Sequence, residues 1–197
     1  MQNVWMITGA SGGLGKGIAE AALRRGDAVA LTSRSPEKLN AMVAEFPKQA
    51  MAVKLELDRI GSMEKALHQV YARFGRIDVL VNNAGHGYRA AIEESEPTQV
   101  RELFDTDFFA PMCLIQLALP GMRARHSGMI INVSSIGAVR GALGNGYYSA
   151  AKGALELASE ALAKETAHLG IRVMLVEPGA FRTAFYDSEL KESEMRI

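Results

Sequence analysis

Apolar residues along this chain follow two different periods, which predict strands and helices in alternation. Short apolar runs recur, and segments with apolar residues three or four positions apart separate them. The runs that predict strands are 4–8, 27–33, 50–57, 77–81, 129–133 and 171–176. The segments that predict helices are 14–25, 36–46, 62–74, 96–125 and 147–168. Near-continuous apolar strands separated by helices indicate a parallel sheet that is covered on both faces.

Several residues mark where the predicted helices begin and end. Ser35 and Pro36 suit the N-cap and the first position of the second helix. The glycines expected to end the first, third and last helices are Gly26, Gly75 and Gly170. We expect segment 96–125 to bend at Pro111 and to end near Pro120 or just after it, because proline cannot continue the hydrogen bonding of a helix.

The length of 197 residues suits one sizeable α/β domain and is too short for two ordinary ones. Six strands in this order predict a single doubly wound domain of the Rossmann type over residues 1–197, with helices on both faces. In such folds, ligands bind beyond the carboxyl ends of the strands, where the strand order reverses. Residues 183–197 are polar and weakly patterned, and we expect this tail to be partly disordered.

Composition and charge argue against several classes of function. The chain carries 22 basic and 22 acidic residues, and this zero net charge argues against a nucleic-acid partner. Cys113 is the only cysteine and the four histidines are scattered, so we expect neither a disulfide nor a metal site. No apolar run reaches the length of a membrane span, and the N-terminus lacks the pattern of a signal peptide. We therefore expect a cytoplasmic protein with no membrane partner.

A glycine-rich stretch follows the first predicted strand, at the turn into the first helix. Its pattern is Thr8-Gly9-x-x-x-Gly13-x-Gly15, which differs from the usual G-x-G-x-x-G spacing. Glycines at such a turn let the backbone approach a pyrophosphate, and the helix N-terminus adds free N–H groups and a favourable dipole. The alternative is a tight turn that binds no ligand.

Tyr148 and Lys152 are four residues apart near the start of the last predicted helix, so their side chains share one face. A phenol has a pKa of ~10 in water, and a nearby cation favours its ionised form. Ionising it near neutrality requires a change of ~3 pH units, or roughly 4 kcal/mol, much of which a lysine could supply. Tyr147 lacks such a partner, because Ala151 lies four residues after it. A solvated helix surface remains the alternative for this pair.

These motifs occur together with three others in the order of one known family. N-N-A-G at 82–85 follows the fourth predicted strand, Ser135 precedes Tyr148 by thirteen residues, and P-G at 178–179 follows the sixth strand. The chain thus resembles the classical short-chain dehydrogenase/reductase family over essentially its whole length. The resemblance implies hydride transfer between a nicotinamide dinucleotide and a carbonyl/alcohol pair.

The resemblance also implies a role for individual residues. Tyr148 would be the general acid/base, Lys152 would favour its ionised form and bind the nicotinamide ribose, and Ser135 would orient the substrate oxygen. Ser134 would bond to backbone instead. Asp58 would contact the adenine, for which an exposed loop carboxylate is the alternative. The complete set of expected cofactor contacts is Thr8, Gly9, Ser11, Gly13, Leu14, Gly15, Arg34, Asp58, Asn83, Ala84, Gly85, Tyr148, Lys152, Pro178, Gly179 and Thr183.

The end of the second strand bears on the choice between NADP and NAD. An acid there would bind the 2′-hydroxyl of NAD, whereas this chain has Ser33 followed by Arg34. A guanidinium group attracts the 2′-phosphate of NADP, so we expect NADP in preference to NAD. Gly12 stands where NADP-using relatives often carry a second basic residue, and a solvated loop arginine is the alternative for Arg34.

The chain departs from the family pattern in two places. The family's fourth catalytic residue, an asparagine, is replaced by Asp107, which cannot donate a hydrogen bond when ionised and could pair with Lys152. We expect activity to be retained but slower, or shifted in pH. Family members usually continue through a substrate lid and a seventh strand, which are expected to be missing here because the chain stops at Ile197.

We therefore expect an NADP-dependent oxidoreductase acting on a small or medium apolar carbonyl or alcohol compound. Segments 136–143 and 181–186, both mostly uncharged, should flank the substrate. The alternative is a non-catalytic, dinucleotide-binding redox sensor of the same fold. In either case we expect a homodimer or homotetramer that associates through the long helices 96–125 and 147–168.

Overall fold

The computed structural model describes residues 2–179 and 190–193, and its centre is a six-stranded sheet in which every neighbouring pair is parallel. The strands are β1 (Val4–Ile7), β2 (Ala28–Ser33), β3 (Ala50–Lys54), β4 (Val79–Asn82), β5 (Gly87–Arg89), β6 (Gly128–Val133), β7 (Ile171–Val176) and β8 (Leu190–Glu192). The sheet order is β3-β2-β1-β4-β6-β7, while β5 and β8 pair with each other in a small parallel ribbon. The predicted doubly wound parallel sheet is confirmed, and the order reverses between β1 and β4.

Helices cover the two faces of the sheet and bury two separate apolar clusters. The helices are α1 (Gly13–Arg24), α2 (Asn40–Glu45), α3 (Ile60–Phe74), α4 (Pro97–Phe104), α5 (Ala110–Ala124) and α6 (Gly146–Thr166). Successive strand residues point to opposite faces, so Met6 joins the cluster under α3 and α5, whereas Ile7 joins the one under α1 and α2. This packing leaves the carboxyl ends of the strands as the edge where loops can form a site.

The long apolar helix after β5 is irregular just before Pro111, where the sequence predicted a bend. α4 continues into α5 through a π-helical turn, Asp105–Phe109. The expected bend at Pro111 is thus replaced by an irregular turn just before it, which accommodates a proline that cannot donate to the carbonyl of Asp107. Pro120 lies inside α5, and the helix ends just after it at Ala124, close to the predicted bound of segment 96–125.

By length and composition, the helix 97–124 could cross a membrane, since an 18-residue window has a mean hydropathy of 1.2. No apolar run of that length was expected from the sequence. In the fold, however, the helix lies against the sheet, and five of its side chains are buried there. These are Ala110, Leu114, Ile115, Ala118 and Met122. The core of a soluble domain explains this pattern equally well.

Smaller differences from the sequence prediction concern local structure. Segment 36–46 forms a 3₁₀ turn, Pro36–Leu39, followed by α2, and the Ser35 hydroxyl makes no capping hydrogen bond. Gly75 and Gly170 do end helical segments, at φ +78° and +71°. Leu190–Glu192, inside the region predicted to be an unpatterned tail, forms β8.

Candidate active site

Loops from the ends of β1, β4 and β6 meet at the reversal of strand order. The Thr8 hydroxyl accepts hydrogen bonds from the backbone N–H groups of Asn83 and Ala84, each 2.9 Å away. The Asn83 side-chain amide donates in return to the Thr8 carbonyl at 2.9 Å. The loop after β4 is therefore tied to the glycine turn after β1, as expected for two segments that share a ligand.

The glycine turn requires glycine at three of its predicted positions. Gly9 and Gly13 have φ values of +67° and +51°, a conformation that L side chains rarely adopt. A Cβ added to Gly15 would lie 2.4 Å from both the Asn83 side-chain nitrogen and the Gly9 carbonyl oxygen, so no other residue fits without movement. The glycine at 15 thus lets α1 pack directly on the turn.

The first turn of α1 suits an anionic ligand. Gly12 occupies the N-cap, no side chain caps the helix, and the first turn contains no acidic residue. Its backbone N–H groups therefore keep their capacity to bind an anion such as a pyrophosphate, which the helix dipole also favours. Ser11 and Gly13 are exposed beside these donors, and Leu14 is half-buried. The geometry fits the phosphates of a dinucleotide.

Two residues predicted to contact the adenosine half are exposed at the same edge of the sheet. Arg34 follows β2 and is exposed, while the neighbouring Ser33 hydroxyl accepts from the Ser35 backbone at 3.1 Å. The Asp58 side chain is 71% exposed and lies 3.9 Å from the Arg59 guanidinium. Both positions are accessible to a ligand, and their roles stay predictions.

Ser135 and Tyr148, which the family resemblance paired, line one cavity of about 260 Å³. A Cβ added to Gly137 would lie 3.4 Å from both the Ser135 hydroxyl and a ring carbon of Tyr148, so these two side chains approach the same point of the backbone. The Lys152 ammonium lies 5.9 Å from the centroid of the Tyr148 ring. Serine, tyrosine and lysine are therefore brought together.

Lys152 is almost fully buried and held from two sides. Its ammonium donates to the Val133 carbonyl at 3.1 Å and lies 3.2 Å from the Asp107 carboxylate. Asp107 is completely buried, on the π-helical turn, and its other oxygen accepts from the His86 backbone N–H at 3.1 Å. The structure thus contains the Asp107–Lys152 ion pair that the sequence analysis raised.

Gly85 and His86 lie directly against the Asp107 carboxylate of this ion pair. A Cβ on Gly85 would lie 3.2 Å from both carboxylate oxygens of Asp107, which explains the glycine. Burial lowers the pKa of His86 below its usual 6.5, although the Asp107 charge opposes the shift. His86 is therefore neutral around pH 7, so Lys152 rather than His86 is the cation that pairs with Asp107 at that pH.

Buried polar residues support the site from behind. The Asn82 amide donates to the Asn132 side chain at 2.8 Å, and Asn132 donates to the Ser159 hydroxyl at 2.8 Å, which joins β4, β6 and α6. The Ser134 hydroxyl donates to the Glu156 carboxylate, so the expectation that it bonds to backbone is wrong. None of these contacts had a sequence signal beyond the residue types themselves.

The remaining predicted residues lie near the end of β7. Pro178 and Gly179 follow the strand, and a Cβ added to the exposed Gly179 would meet no atom of residues 2–179 or 190–193 within 4 Å. Thr183 and the predicted substrate segment 181–186 lie outside the described residues. Arg140, which lines the cavity with Ser135 and Tyr148, lies in the segment 136–143 that was predicted to flank the substrate. Arg89, Asn145 and Ser149 also line the cavity and were not predicted.

The chain belongs to the short-chain dehydrogenase family, whose model matches residues 3–194. It is similar to oxidoreductase BOA17 of Botryotinia fuckeliana, with 38% identity over 97% of this chain and 70% of that protein. It is also similar to a 3-ketodihydrosphingosine reductase of Bacteroides thetaiotaomicron, with 40% identity over 93% of this chain and 65% of the relative. The chain is an oxidoreductase by family.

Solved structures agree with this assignment. A short-chain dehydrogenase from Streptomyces avermitilis superposes with a TM-score of 0.95 at 44% identity, covering 99% of this chain and 72% of the other. A metagenomic short-chain oxidoreductase in complex with NADP gives 0.85 at 33% identity, covering 91% and 83%. A 3-ketoacyl-(acyl-carrier-protein) reductase from Brucella melitensis complexed with NADH gives 0.89 at 28%, covering 93% and 78%. Structural neighbours thus bind either NADP or NADH.

Proposed function

We propose that this protein transfers a hydride between NADP(H) and a carbonyl/alcohol pair, with Tyr148 as the general acid/base. The observation that supports this most directly is the shared cavity of Ser135 and Tyr148, beside the buried Lys152 ammonium. A structural role alone would not require a buried cation next to a partly exposed phenol. Burying an ammonium is costly, so its retention here favours a chemical role.

The residues of the site divide the proton chemistry among them. When bound, the nicotinamide supplies the hydride to the carbonyl carbon, or accepts it from the alcohol. In reduction, Tyr148 donates its proton to the substrate oxygen and is left as a phenolate, which a proton from solvent then restores. The Lys152 charge stabilises the phenolate, and the Ser135 hydroxyl donates a hydrogen bond to the same substrate oxygen.

The preference for NADP over NAD rests on Arg34. Its exposed guanidinium, directly after β2, can pair with a 2′-phosphate, whereas β2 ends in Ser33 and not in an acid that would bind a 2′-hydroxyl. We expect Arg34→Ser to raise the KM for NADPH about tenfold, the loss of one charge-assisted contact, with little change for NADH. Equal KM changes for both cofactors would contradict this assignment.

The substrate is proposed to have a largely apolar body. Three large apolar side chains are strongly exposed on the segment beside the cavity, namely Ile136, Val139 and Leu143. Exposed apolar groups next to a cavity commonly serve binding. The names of the ketodihydrosphingosine and ketoacyl reductases, which are similar to this chain, also fit a ketone on an aliphatic body.

The proposal also covers the self-association of this protein and its location in the cell. Phe109, before α5, and Leu157, on α6, are 56% and 71% exposed, which supports self-association through the long helices. We propose a cytoplasmic homodimer or homotetramer. Sedimentation measurements test the assembly, because a monomer at micromolar concentration would contradict it.

The decisive experiment compares two adjacent tyrosines. NADPH consumption is measured with a panel of aldehydes, ketones and quinones for the wild type, Tyr148→Phe and the matched control Tyr147→Phe. We expect Tyr148→Phe to lower kcat at least about 100-fold, because the general acid is lost, while Tyr147→Phe retains activity. Cofactor binding without turnover on any compound would instead support the redox sensor, and equal effects of both changes would refute the role of Tyr148.

A further inference from the structure

The cavity beside Ser135 and Tyr148 has a positively charged wall. Among the described residues that line it, Arg89 and Arg140 are the charged ones, and no aspartate or glutamate is included. Each guanidinium presents five N–H donors and no acceptor. The cavity therefore attracts anions, although the sequence had suggested an uncharged substrate site.

The two arginines differ in how far their charge is already neutralised. The Arg89 guanidinium lies 3.7 Å from the Glu192 carboxylate of β8, so part of its charge is compensated. Arg140 is exposed in the segment that precedes α6. It forms no ion pair with any residue in 2–179 or 190–193. Arg140 is thus the stronger candidate for binding an external anion.

Uncharged hydrogen-bond donors lie on the same side of the cavity as the two arginines. The Ser149 hydroxyl is buried and makes no hydrogen bond with the described part of the chain, although its residue lines the cavity. The Asn145 side chain lines the cavity as well and makes no capping hydrogen bond to α6. A buried hydroxyl without a partner is costly, and a ligand acceptor would satisfy it.

We propose that the substrate carries an anionic group, a carboxylate or a phosphate, in addition to its reacting carbonyl, and that Arg140 binds this group. Arg89 contributes a second, weaker contact. The apolar side chains Val139 and Leu143 on the same segment then contact the aliphatic body between the two functional groups. This inference rests on the proposed function, because it assigns the reacting carbonyl to Ser135 and Tyr148.

The kinetic test uses pairs of compounds that differ only in charge. The 4-, 5- and 7-oxooctanoates and their methyl esters are reduced with NADPH, and kcat/KM for each acid is divided by that for its ester. We expect a ratio above one for at least one position of the ketone. Arg140→Gln should lower that ratio about tenfold, the loss of one charge-assisted hydrogen bond, and Arg140→Lys should lower it less.

The control is Arg123→Gln, which removes the same charge from the exposed end of α5, at the opposite edge of the sheet. It should leave the ratio unchanged. Turnover with ratios near one, unaffected by Arg140→Gln, would overturn the anion site and leave the oxidoreductase proposal standing. An equal fall in Arg123→Gln would overturn it too, because the effect would then come from net charge.

Calorimetry keeps the inference testable even if none of these ketones is reduced. Octanoate, octyl phosphate and octan-1-ol are titrated into the NADP-saturated wild type and into Arg140→Gln. Tighter binding of either anion than of the alcohol, lost in Arg140→Gln, supports the site and distinguishes carboxylate from phosphate. Equal binding of all three overturns it, whereas a total lack of turnover in the kinetic test bears on the proposed function.

Discussion

Replacing Asp107 by asparagine tests how the buried ion pair sets the pH range of catalysis. Asparagine keeps the shape of the side chain but removes the negative charge that lies 3.2 Å from the Lys152 ammonium. The Lys152 charge then acts on Tyr148 without compensation and stabilises the phenolate more strongly. Alcohol oxidation needs that phenolate as its base, so its rate should reach half of its maximum at a lower pH than in the wild type.

The size of the shift follows from the geometry. The Lys152 ammonium lies 3.2 Å from the Asp107 carboxylate and 5.9 Å from the Tyr148 ring, so the carboxylate is within about 9 Å of that ring. At an effective dielectric constant of about 20, two charges so far apart interact by roughly 1.8 kcal/mol, or about 1.3 pH units. Because Tyr148 is only partly buried, solvent screening reduces this, and we expect a shift of about 0.5 to 1 unit.

The assay is the pH dependence of kcat/KM for oxidation of the most active alcohol with NADP. The matched control is Asp105→Asn, which removes an exposed carboxylate from the same π-helical turn and should leave the midpoint in place. An unchanged midpoint in Asp107→Asn, or a shift to higher pH, would refute the electrostatic argument. Equal shifts in both variants would assign the effect to overall charge.

Two further changes test the glycine turn and a buried carboxylate. Gly15→Ala should lower the free energy of unfolding by about 2 to 3 kcal/mol and weaken NADPH binding, because its Cβ would overlap Asn83. The control Gly17→Ala, on the open side of α1, should be neutral or stabilising by about 0.5 kcal/mol. Denaturant titrations measure both changes, and equal losses of stability would contradict the overlap. Burial alone would raise the pKa of Asp27, but hydrogen bonds from Arg25, Asn3 and Trp5 outweigh it and hold the pKa below 3.8. The ionised Asp27 therefore contributes fully to the free energy of unfolding above about pH 4, and this contribution is lost as the pH falls through the lowered pKa. Asp27→Asn should lower the free energy of unfolding by about 2 kcal/mol at pH 7 and by much less near pH 2. A loss of stability that is independent of pH would contradict this.

The main sheet was predictable because its signal is local. Each strand is a short apolar run and each helix has its own apolar stripe, so the alternation alone indicates the parallel order. The β5–β8 ribbon was missed because each strand has three residues and the two lie about a hundred residues apart in the chain. Gly87–Arg89 and Leu190–Glu192 carry no run of apolar residues that could have indicated strands.

The site was predictable only where spacing encodes proximity. Tyr148 and Lys152 share a helix face by their separation, and Ser135 was chosen through the family resemblance. Arg89 ends β5 and Arg140 lies in the segment before α6, and the fold brings both to the same cavity. Part of this approach depends on Gly144 at φ +72°, where an added Cβ would lie 3.1 Å from the Arg89 side chain. Such contacts between distant segments leave no periodic signal in the sequence.

The π-helical turn Asp105–Phe109 holds one residue more than a regular α-helical turn would need. That surplus residue lets α4 bury Leu103 while the following turn directs Asp107 inward to Lys152. Deleting any one residue of the turn would regularise the helix, yet it would rotate one half against the other by about 100°. A shortened helix of this kind should form readily, but either Asp107 would no longer point inward to Lys152 or Leu103 would no longer be buried. The same five residues therefore cannot form a regular helix and also keep both the ion pair and the burial of Leu103.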